Sequence, residues 1–540
     1  MKDCVRTEKA GKVWLVGAGP GDIGLFTLKG KEILEQADTV VYDNLIGDAV
    51  LALIPDAAEK LDVGKRAGNH PVKQEEINRI LLDKAKEGKR VVRLKGGDPF
   101  LFGRGGEELE LLAEHGISFE IVPGVTSAFA VPAYAGIPVT HRDFCSSVHI
   151  ITGHRRTDKG NRDNAAISDK SEDCRRKDED AVFNETEEID YEALVRAGGT
   201  LIFLMGVTAL PDICQNLILA GMAADTPAAV VQEGTTAGQR ILIATAGTLP
   251  QRAAEEKIKA PAVIIIGDVC RLQEKFAWHD ALPLSGCRIL LTRPRERMAG
   301  LSGKLRTLGA EVLEIPAIRI RPLCGDRIEK ELSRLQEYDW IVFTSPGGVN
   351  IFFDVCLRRE KTDIRTLMHM RFAVLGPGTG RTLAGRGIYP DLMPETYDAA
   401  SLGKILAEEC EKGANILVPR AAAGSPLLIN EIKRREDLAV TDLPIYETLP
   451  GEPRVIDLKS ELQEERIDLV VFTSASGVRG FVQMVSRPDA EDGEGFDYSK
   501  IRAVCIGKQT QAAAERFGMK ACAAREATED AIAEKITEIF

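Results

Sequence analysis

The sequence predicts an α/β protein of several lobes, and three observations carry that prediction. Apolar strand-like runs end in glycine-rich turns, as in Val13-Trp-Leu-Val-Gly-Ala-Gly-Pro-Gly-Asp22 and Val91-Val-Arg-Leu-Lys-Gly-Gly-Asp-Pro99. Up to residue 155 such runs alternate with segments of helical spacing, the pattern of strand–helix–strand units around a largely parallel sheet. The C-terminal half echoes itself: Asp339-Trp-Ile-Val-Phe-Thr-Ser-Pro-Gly-Gly-Val349 matches Asp468-Leu-Val-Val-Phe-Thr-Ser-Ala-Ser-Gly-Val478, and Phe372-Ala-Val-Leu-Gly-Pro-Gly-Thr379 matches Ala503-Val-Cys-Ile-Gly-Lys-Gln-Thr510. A chain of 540 residues is too long for one core, so two to four compact units are expected.

Taken in order, 13–16, 39–42, 90–94 and 119–122 are predicted strands, while 27–36, 74–87 and 106–115 carry helical periodicity. Together they make a first α/β lobe. A second begins with the strand 148–152 and continues through strands at 200–205, 228–232, 239–245 and 262–266, with a helix-like segment at 251–257. Between them, 157–188 is polar, dense in mixed charge and nearly free of large apolar residues. Such a stretch cannot bury a core and reads as a disordered surface insertion.

Residues 273–285 carry few structural demands and read as a linker. A new start follows. Cys287-Arg-Ile-Leu-Leu-Thr-Arg293 is a strand, a helix runs from 297 to 308, and Gly309-Ala-Glu-Val-Leu-Glu-Ile-Pro316 is helix stop, turn and next strand. The internal echo then implies a tandem pair of similar lobes whose strand ends face one another across a cleft.

Composition excludes several function classes. No apolar run approaches membrane-spanning length, and the first ten residues lack the apolar core of a secretory signal, so a cytoplasmic protein with no membrane partner is expected. The 11 cysteines form no C-x-x-C pair and the 7 histidines no H-x-x-x-H pair, which indicates neither a disulfide framework nor a metal site. A net charge of -12 argues against nucleic-acid binding. Any polyanionic small molecule must meet local cations, for which Arg93, Lys95, Arg104, Arg142, Arg155 and Arg156 are candidates.

The two glycine turns are the richest chemical signal, because each puts exposed backbone and a carboxylate at the end of a buried strand. A dinucleotide-binding turn is one reading of the first, with Gly17, Gly19 and an acid about twenty residues on. Against it, Pro20 has no N–H for a pyrophosphate and Asp22 sets negative charge where phosphate would sit. A cofactor without phosphates fits better. S-adenosylmethionine is one, its sulfonium being compatible with Asp22 and Asp98.

Ten segments sharpen this reading: Gly17-Ala-Gly-Pro-Gly-Asp22, Tyr42-Asp43, Gly64-Lys65, Gln74-Glu-Glu-Ile-Asn78, Arg93-Leu-Lys-Gly-Gly-Asp-Pro99, Val122-Pro-Gly-Val-Thr-Ser127, Ala135-Gly-Ile-Pro-Val-Thr-His-Arg142, Thr152-Gly-His154, Met205-Gly206 and Glu233-Gly-Thr-Thr236. In order and spacing they resemble uroporphyrinogen-III C-methyltransferases over residues 9–272. The resemblance implies a tetrapyrrole-methylase fold of two α/β lobes, homodimerisation through this half, and two methyl transfers from S-adenosylmethionine to uroporphyrinogen III, giving precorrin-2. It places the cofactor around Pro20, Gly96, Gly97, Asp98, Leu101, Thr126, Ser127, Met205 and Gly234, with Asp43 as proton acceptor and Lys65 as proton donor. No metal is implied. On the residues alone, Met205 also reads as core packing at a strand end, Asp98 as the cap of a turn, and Asp43 and Lys65 as solvated surface groups.

Thr292-Arg-Pro294, the paired Phe-Thr-Ser turns, Asn415-Ile-Leu-Val-Pro-Arg420 and Pro444-Ile-Tyr-Glu-Thr448 give residues 286–540 a resemblance to uroporphyrinogen-III synthase. This implies a two-lobed α/β synthase fold, one lobe from 286–320 plus 449–540 and the other from 321–448. The substrate would be hydroxymethylbilane, closed to uroporphyrinogen III with inversion of the last pyrrole. Tyr446 matches the acid for the leaving hydroxyl, and Thr379, Thr510 and the turn hydroxyls would bind carboxylates. The alternative is a methyltransferase for a later corrinoid precursor joined to a noncatalytic tetrapyrrole-binding module.

Overall fold

The computed structural model describes residues 11–64, 72–153, 189–293, 299–451, 455–486 and 496–540. The polar stretch 157–188 lies outside them. Four five-stranded sheets organise the chain, and both halves are α/β as predicted.

The first sheet is wholly parallel. It contains β1 (Lys12–Gly17), β2 (Thr39–Tyr42), β3 (Glu59–Asp62), β4 (Arg90–Lys95) and β5 (Ser118–Val122) in the order β3-β2-β4-β1-β5. The centre reads as apolar because it is buried on both faces: Val13, Leu15, Val16, Val40, Val41, Val91, Val92 and Leu94 are fully covered. Gly17 pairs with Lys95 and Val16 with Val122, so the turns after β1, β4 and β5 leave the sheet at one level. Open parallel sheets bind ligands in this crevice.

The sequence reading passed over β3, whose Glu-Lys-Leu-Asp composition carries no strand signal. Pairing with β2 makes it an edge strand, where charge is tolerated. Lys84 and Lys89 both reach the Glu59 carboxylate, at 2.7 and 2.9 Å, and their hydrogen bonds hold its pKa down at about 2. The helix Ser127–Tyr134 was also passed over. It is apolar on every side and contains Pro132, so it shows no periodicity, and burial of Ala128, Val131 and Pro132 is what keeps it helical.

The second sheet is mixed, with β6 (Val148–Thr152), β7 (Thr200–Leu204), β8 (Pro227–Gln232), β9 (Arg240–Thr245) and β10 (Ala262–Ile266) in the order β6-β7-β10-β8-β9. Only β6 and β7 run parallel; the other neighbours are antiparallel.

Residues 273–285 are packed, not free. Gln273–Phe276 is helical, the Trp278 indole donates to the Ala133 carbonyl at 2.9 Å and stacks edge-on against Tyr134, and Leu284 is completely buried.

The third sheet, β12-β11-β18-β19-β20, joins β11 (Arg288–Leu291) and β12 (Glu311–Glu314) to β18 (Leu469–Phe472), β19 (Arg502–Cys505) and β20 (Lys520–Ala523). The fourth, β13-β17-β16-β14-β15, holds β13 (Ile318–Pro322), β14 (Trp340–Phe343), β15 (Arg371–Val374), β16 (Asn415–Ala421) and β17 (Ala439–Pro450). The echo in the sequence is structural: β14 and β18 each run into a serine, Ser345 or Ser474, that caps the following helix by accepting a backbone N–H at 3.0 Å. The chain passes between these lobes twice, side by side, with the Ala317 N–H bonded to Thr292 and the Gly451 N–H to Ala317. A Cβ on Gly451 would lie 1.9 Å from the Pro316 carbonyl oxygen, so this close approach needs glycine.

Candidate active sites

In the first half, three turns from β1, β4 and β5 interlock. Gly19 and Gly97 exchange backbone hydrogen bonds at 3.2 and 2.8 Å. Asp98 accepts from the Phe100 N–H at 2.9 Å and the Gly124 N–H at 3.0 Å, so its carboxylate ties the β4 turn to the β5 turn. A Cβ on Gly17 would stand 2.5 Å from the Gly124 Cα, and one on Gly124 2.1 Å from the Gly97 carbonyl; backbone meets backbone there. Gly97 is different. Its φ is +64°, and a Cβ would point into space whose nearest atoms are the Ser127 nitrogen at 3.9 Å and the Thr126 Cα at 4.0 Å.

The structure therefore gathers Pro20, Gly96, Gly97, Asp98, Thr126 and Ser127 at one level of the sheet. Thr126 caps its helix by accepting from Ala128, and Ser127 is half-buried. Gly96 abuts Leu45, two residues past Asp43. The other lobe joins through Gly234, where a Cβ would lie 2.4 Å from Val131, and through Leu101, which packs on the core of the second sheet. Met205 is 53% exposed at the end of β7, so core packing does not account for it. Its φ is +55°, and Phe102, Arg104, Glu233 and Thr235 are likewise non-glycine residues at positive φ. Such strained backbone persists where surrounding structure holds it, commonly beside a site.

Tyr134, which the sequence reading missed, and Thr235 lock the lobes together through Asp22. The Tyr134 hydroxyl donates to Asp22 at 2.6 Å, and the Asp22 N–H donates to the Thr235 hydroxyl at 3.2 Å. Burial and the Asp22 bond push the Tyr134 phenol well above its ordinary pKa. Asp22 also caps the turn at Gly24, so its carboxylate ties structure together as that of Asp98 does. An apolar run has no feature that marks a tyrosine as an inter-lobe anchor. Leu45, Phe100, Phe129 and Met205 are large apolar side chains left exposed within a few residues of these turns.

Asp43 follows β2. Its carboxylate accepts from the Leu45 N–H at 3.1 Å and from Arg93 at 3.2 Å. Lys65 lies outside the described residues, as do His154, Arg155 and Arg156. Arg93 and Lys95, expected as cations to meet a polyanionic small molecule, are instead buried on β4 against Glu108: Arg93 at 3.1 Å and Lys95 at 2.8 Å both bond its Oε1. Burial and the Arg93 charge push the Lys95 ammonium below its ordinary pKa. Arg104 is paired with Glu107 at 2.6 Å, and Arg142 is exposed.

Glu108 is fully buried, and breaking a buried ionic cluster leaves uncompensated charge. Glu108→Gln is expected to lower the stability of this half by about 3 kcal/mol, read as a drop in the calorimetric midpoint. A midpoint unchanged within a degree would show that the cluster is solvated.

In the second half, a cavity of about 760 Å³ lies between the two C-terminal lobes, within the size of small-molecule sites. Tyr446, on β17, lines it. Its hydroxyl is 2.8 Å from the Ser345 hydroxyl, which also accepts from the Gly348 N–H. Across the cavity stand Thr473, Ser474 and Ser476 of the matching turn. Thr379 and Thr510, expected at the cleft, are buried in the first turns of their helices and do not line it. Arg420 is also spent, clamped on Asp442 by two bonds of 2.7 Å.

Comparison with known proteins agrees with this division. The family model for Tetrapyrrole (Corrin/Porphyrin) Methylases matches residues 12–250, and that for Uroporphyrinogen-III synthase HemD matches residues 299–534. The Porphyrin biosynthesis protein HemD of Ruminiclostridium josui is 43% identical over 530 residues, 98% of either chain. The siroheme synthase of Pseudomonas fluorescens (strain SBW25) is 47% identical over 270 residues, covering 50% of this chain and 52% of its own, so this chain spans about half of that relative. A solved uroporphyrin-III C-methyl transferase from Thermus thermophilus is 37% identical, covering 48% of this chain and 99% of its own, with a TM-score of 0.37. With its relative matched from end to end and each half matched by its own family, the chain belongs to the family of the porphyrin biosynthesis protein HemD, a fusion of a uroporphyrinogen-III methyltransferase domain with a uroporphyrinogen-III synthase domain.

Proposed function

We propose that the C-terminal half closes hydroxymethylbilane to uroporphyrinogen III with inversion of the last pyrrole, and that the N-terminal half methylates this product twice to precorrin-2. The observation that carries the reading is that one chain holds both family domains, the product of one being the substrate of the other. The noncatalytic alternative is not favoured, because the synthase family match runs through most of the C-terminal half.

The residues present fit S-adenosylmethionine. The space in front of Gly97 is bounded by the backbone of Thr126 and Ser127, and Pro20 removes a donor that a phosphate would need. Pro20, Gly96, Gly97, Asp98, Leu101, Thr126, Ser127, Met205 and Gly234 are the proposed cofactor residues. When bound, the cofactor supplies a methyl group on a positively charged sulfur. The protein's part is alignment of a nucleophilic pyrrole carbon with that methyl, then removal of a proton as the macrocycle rearranges. Asp43, oriented by Arg93 and the Leu45 N–H, is the proposed acceptor, and Lys65 the proposed donor.

Asp43→Asn and Lys65→Met are accordingly expected to lower methyl transfer by about a hundredfold while cofactor affinity stays within a few-fold of wild type. Stopped assays with labelled methyl donor, set beside calorimetric titration, separate the two; parallel loss of both would assign these residues to cofactor holding. The whole reading is tested by incubating the purified chain with hydroxymethylbilane and labelled S-adenosylmethionine. Label must appear in a type-III product. The same reading makes the protein a cytoplasmic homodimer through its N-terminal half, checked by size-exclusion chromatography with light scattering. Among the described residues no helix is long and apolar enough to cross a membrane.

A further inference from the structure

Two segments touch the turn that follows β1, and both are held from the synthase half. Gly21, next to the proposed cofactor residue Pro20, meets each of them: a Cβ on it would stand 2.7 Å from the Thr236 Cγ2 and 3.0 Å from the Thr235 hydroxyl, and a Cβ on Gly47 would stand 2.5 Å from the Gly21 carbonyl oxygen. A residue further along, each segment is bonded to the same pair of synthase side chains. Arg288 and Glu311 are register partners on the adjacent strands β11 and β12, with the guanidinium Nε 3.0 Å from one carboxylate oxygen. The other Glu311 oxygen accepts the Ala237 N–H at 2.8 Å, and the far end of Arg288 bonds the Asp48 carboxylate. Arg288 also pairs with Glu461 at 2.5 Å, so its Nε and both terminal nitrogens are each engaged by an acid. Apolar contact closes the junction around them: Ala52, which also lines the synthase cavity, packs against the core of the third sheet, and Val455 packs in return against the core of the first.

The loop 233–239 needs such a hold. Glu233 and Thr235 stand at φ +48° and +71°, conformations that non-glycine residues keep only under restraint. Within the methyltransferase half the Asp22 N–H bonds the Thr235 hydroxyl, and the Thr235 N–H bonds Gln239 at 2.9 Å. Glu311 adds a restraint from the other domain. Gly234, between the two strained residues, is a proposed cofactor residue, and Leu45, three residues before Asp48, abuts Gly96, which is another. Both bonds that cross the junction therefore end within a few residues of the cofactor turns.

We infer that Arg288 and Glu311 of the synthase domain are positioning residues for the methyltransferase's cofactor site, fixing the loop 233–239 and the segment 45–48 against the β1 turn. The inference rests on the proposed cofactor pocket. The pair acts through Ala237 and Asp48, by removing conformations that the two segments would otherwise have to give up on binding. S-adenosylmethionine affinity in one half of the chain then depends on side chains of the other.

The test is isothermal titration of the full chain with S-adenosylmethionine. Glu311→Ala is expected to raise Kd about tenfold, and Asp48→Asn, which frees the other segment, about fivefold. Glu311→Gln keeps an oxygen for the Ala237 N–H and should recover most of the affinity. Glu461→Gln takes an acid from the same cluster without releasing either segment, so its Kd should stay within about twofold of wild type. Amide exchange over residues 233–239 should be faster in Glu311→Ala than in Glu461→Gln, and slow again once the cofactor is bound. Thermal midpoints identify a variant that misfolds; should Glu311→Ala do so, Asp48→Asn decides. A wild-type Kd in the deciding variant, or an equal loss in Glu461→Gln, beside a Gly97→Val variant that no longer binds, overturns the positioning role alone. Normal binding by Gly97→Val overturns the cofactor pocket and this inference with it.

Discussion

Gly97→Val is expected to abolish S-adenosylmethionine binding, with affinity reduced more than about a hundredfold, or ~3 kcal/mol. The reason lies in where the new side chain would go. Gly17 and Gly124 face backbone, so substitution there would break the interlocked turns. At Gly97 a Cβ meets nothing closer than 3.9 Å, and the two methyls of valine would extend into the space assigned to the cofactor. A second effect must be separated, because a branched residue at φ +64° strains the backbone by roughly 1–3 kcal/mol. Gly116 supplies the comparison: it has the same φ of +64° and open space around it, at the end of the helix Gly105–Glu114. Gly116→Val should lose similar thermal stability and keep cofactor affinity. Isothermal titration of both variants discriminates, and normal binding by Gly97→Val would remove this pocket from the proposal.

Tyr446→Phe is expected to slow type-III ring closure by about a hundredfold. Free hydroxymethylbilane closes without an enzyme to the uninverted isomer, so the synthase must accelerate loss of the hydroxyl and control the inversion. Tyr446 is 6% exposed, yet its hydroxyl reaches the cleft edge and is 2.8 Å from Ser345. That pairing can run in either direction; the acid role requires Ser345 to donate, directing the tyrosine proton away from it. Phenylalanine keeps the ring in place and Ser345 keeps its bond from Gly348, so the fold should lose only about 1 kcal/mol. The informative measurement is the isomer ratio with the rate: product should shift toward type I, while methylation of supplied uroporphyrinogen III stays at the wild-type level. Undiminished type-III turnover would make Tyr446 a packing residue.

Much of the architecture was legible because its strands are buried on both faces and end in glycine. All four strands predicted for the first lobe and the five for the second occur within a residue or two of their expected bounds. The echo between 339–349 and 468–478 was legible for the same reason, since a buried strand running into a serine cap leaves little room for sequence drift. The charged edge strand β3 was not legible, nor was the helix Ser127–Tyr134, because neither has a periodic pattern and each is held by its neighbours.

For the sites, sequence by itself determined which residue types stand at the strand ends: glycines where backbone must approach, Asp98 beside them, and a tyrosine within a long β17. Local chemistry dictates these, so local reading finds them. Only the tertiary structure decided how each side chain is used. Arg93 and Lys95 look like ligands for an anion until Glu108, on the next helix, takes both, and only the fold brings the Tyr134 hydroxyl to Asp22. Thr379 and Thr510 sit in matching motifs but turn into their own cores. The segment 51–60 gives no signal in its own sequence of the surface it meets, and it reaches the synthase cleft because Arg288 bonds Asp48 and Glu311 accepts from Ala237, each across the junction. An ion pair or a shared cavity is made by residues far apart in the chain, and its geometry exists only once the sheets have packed.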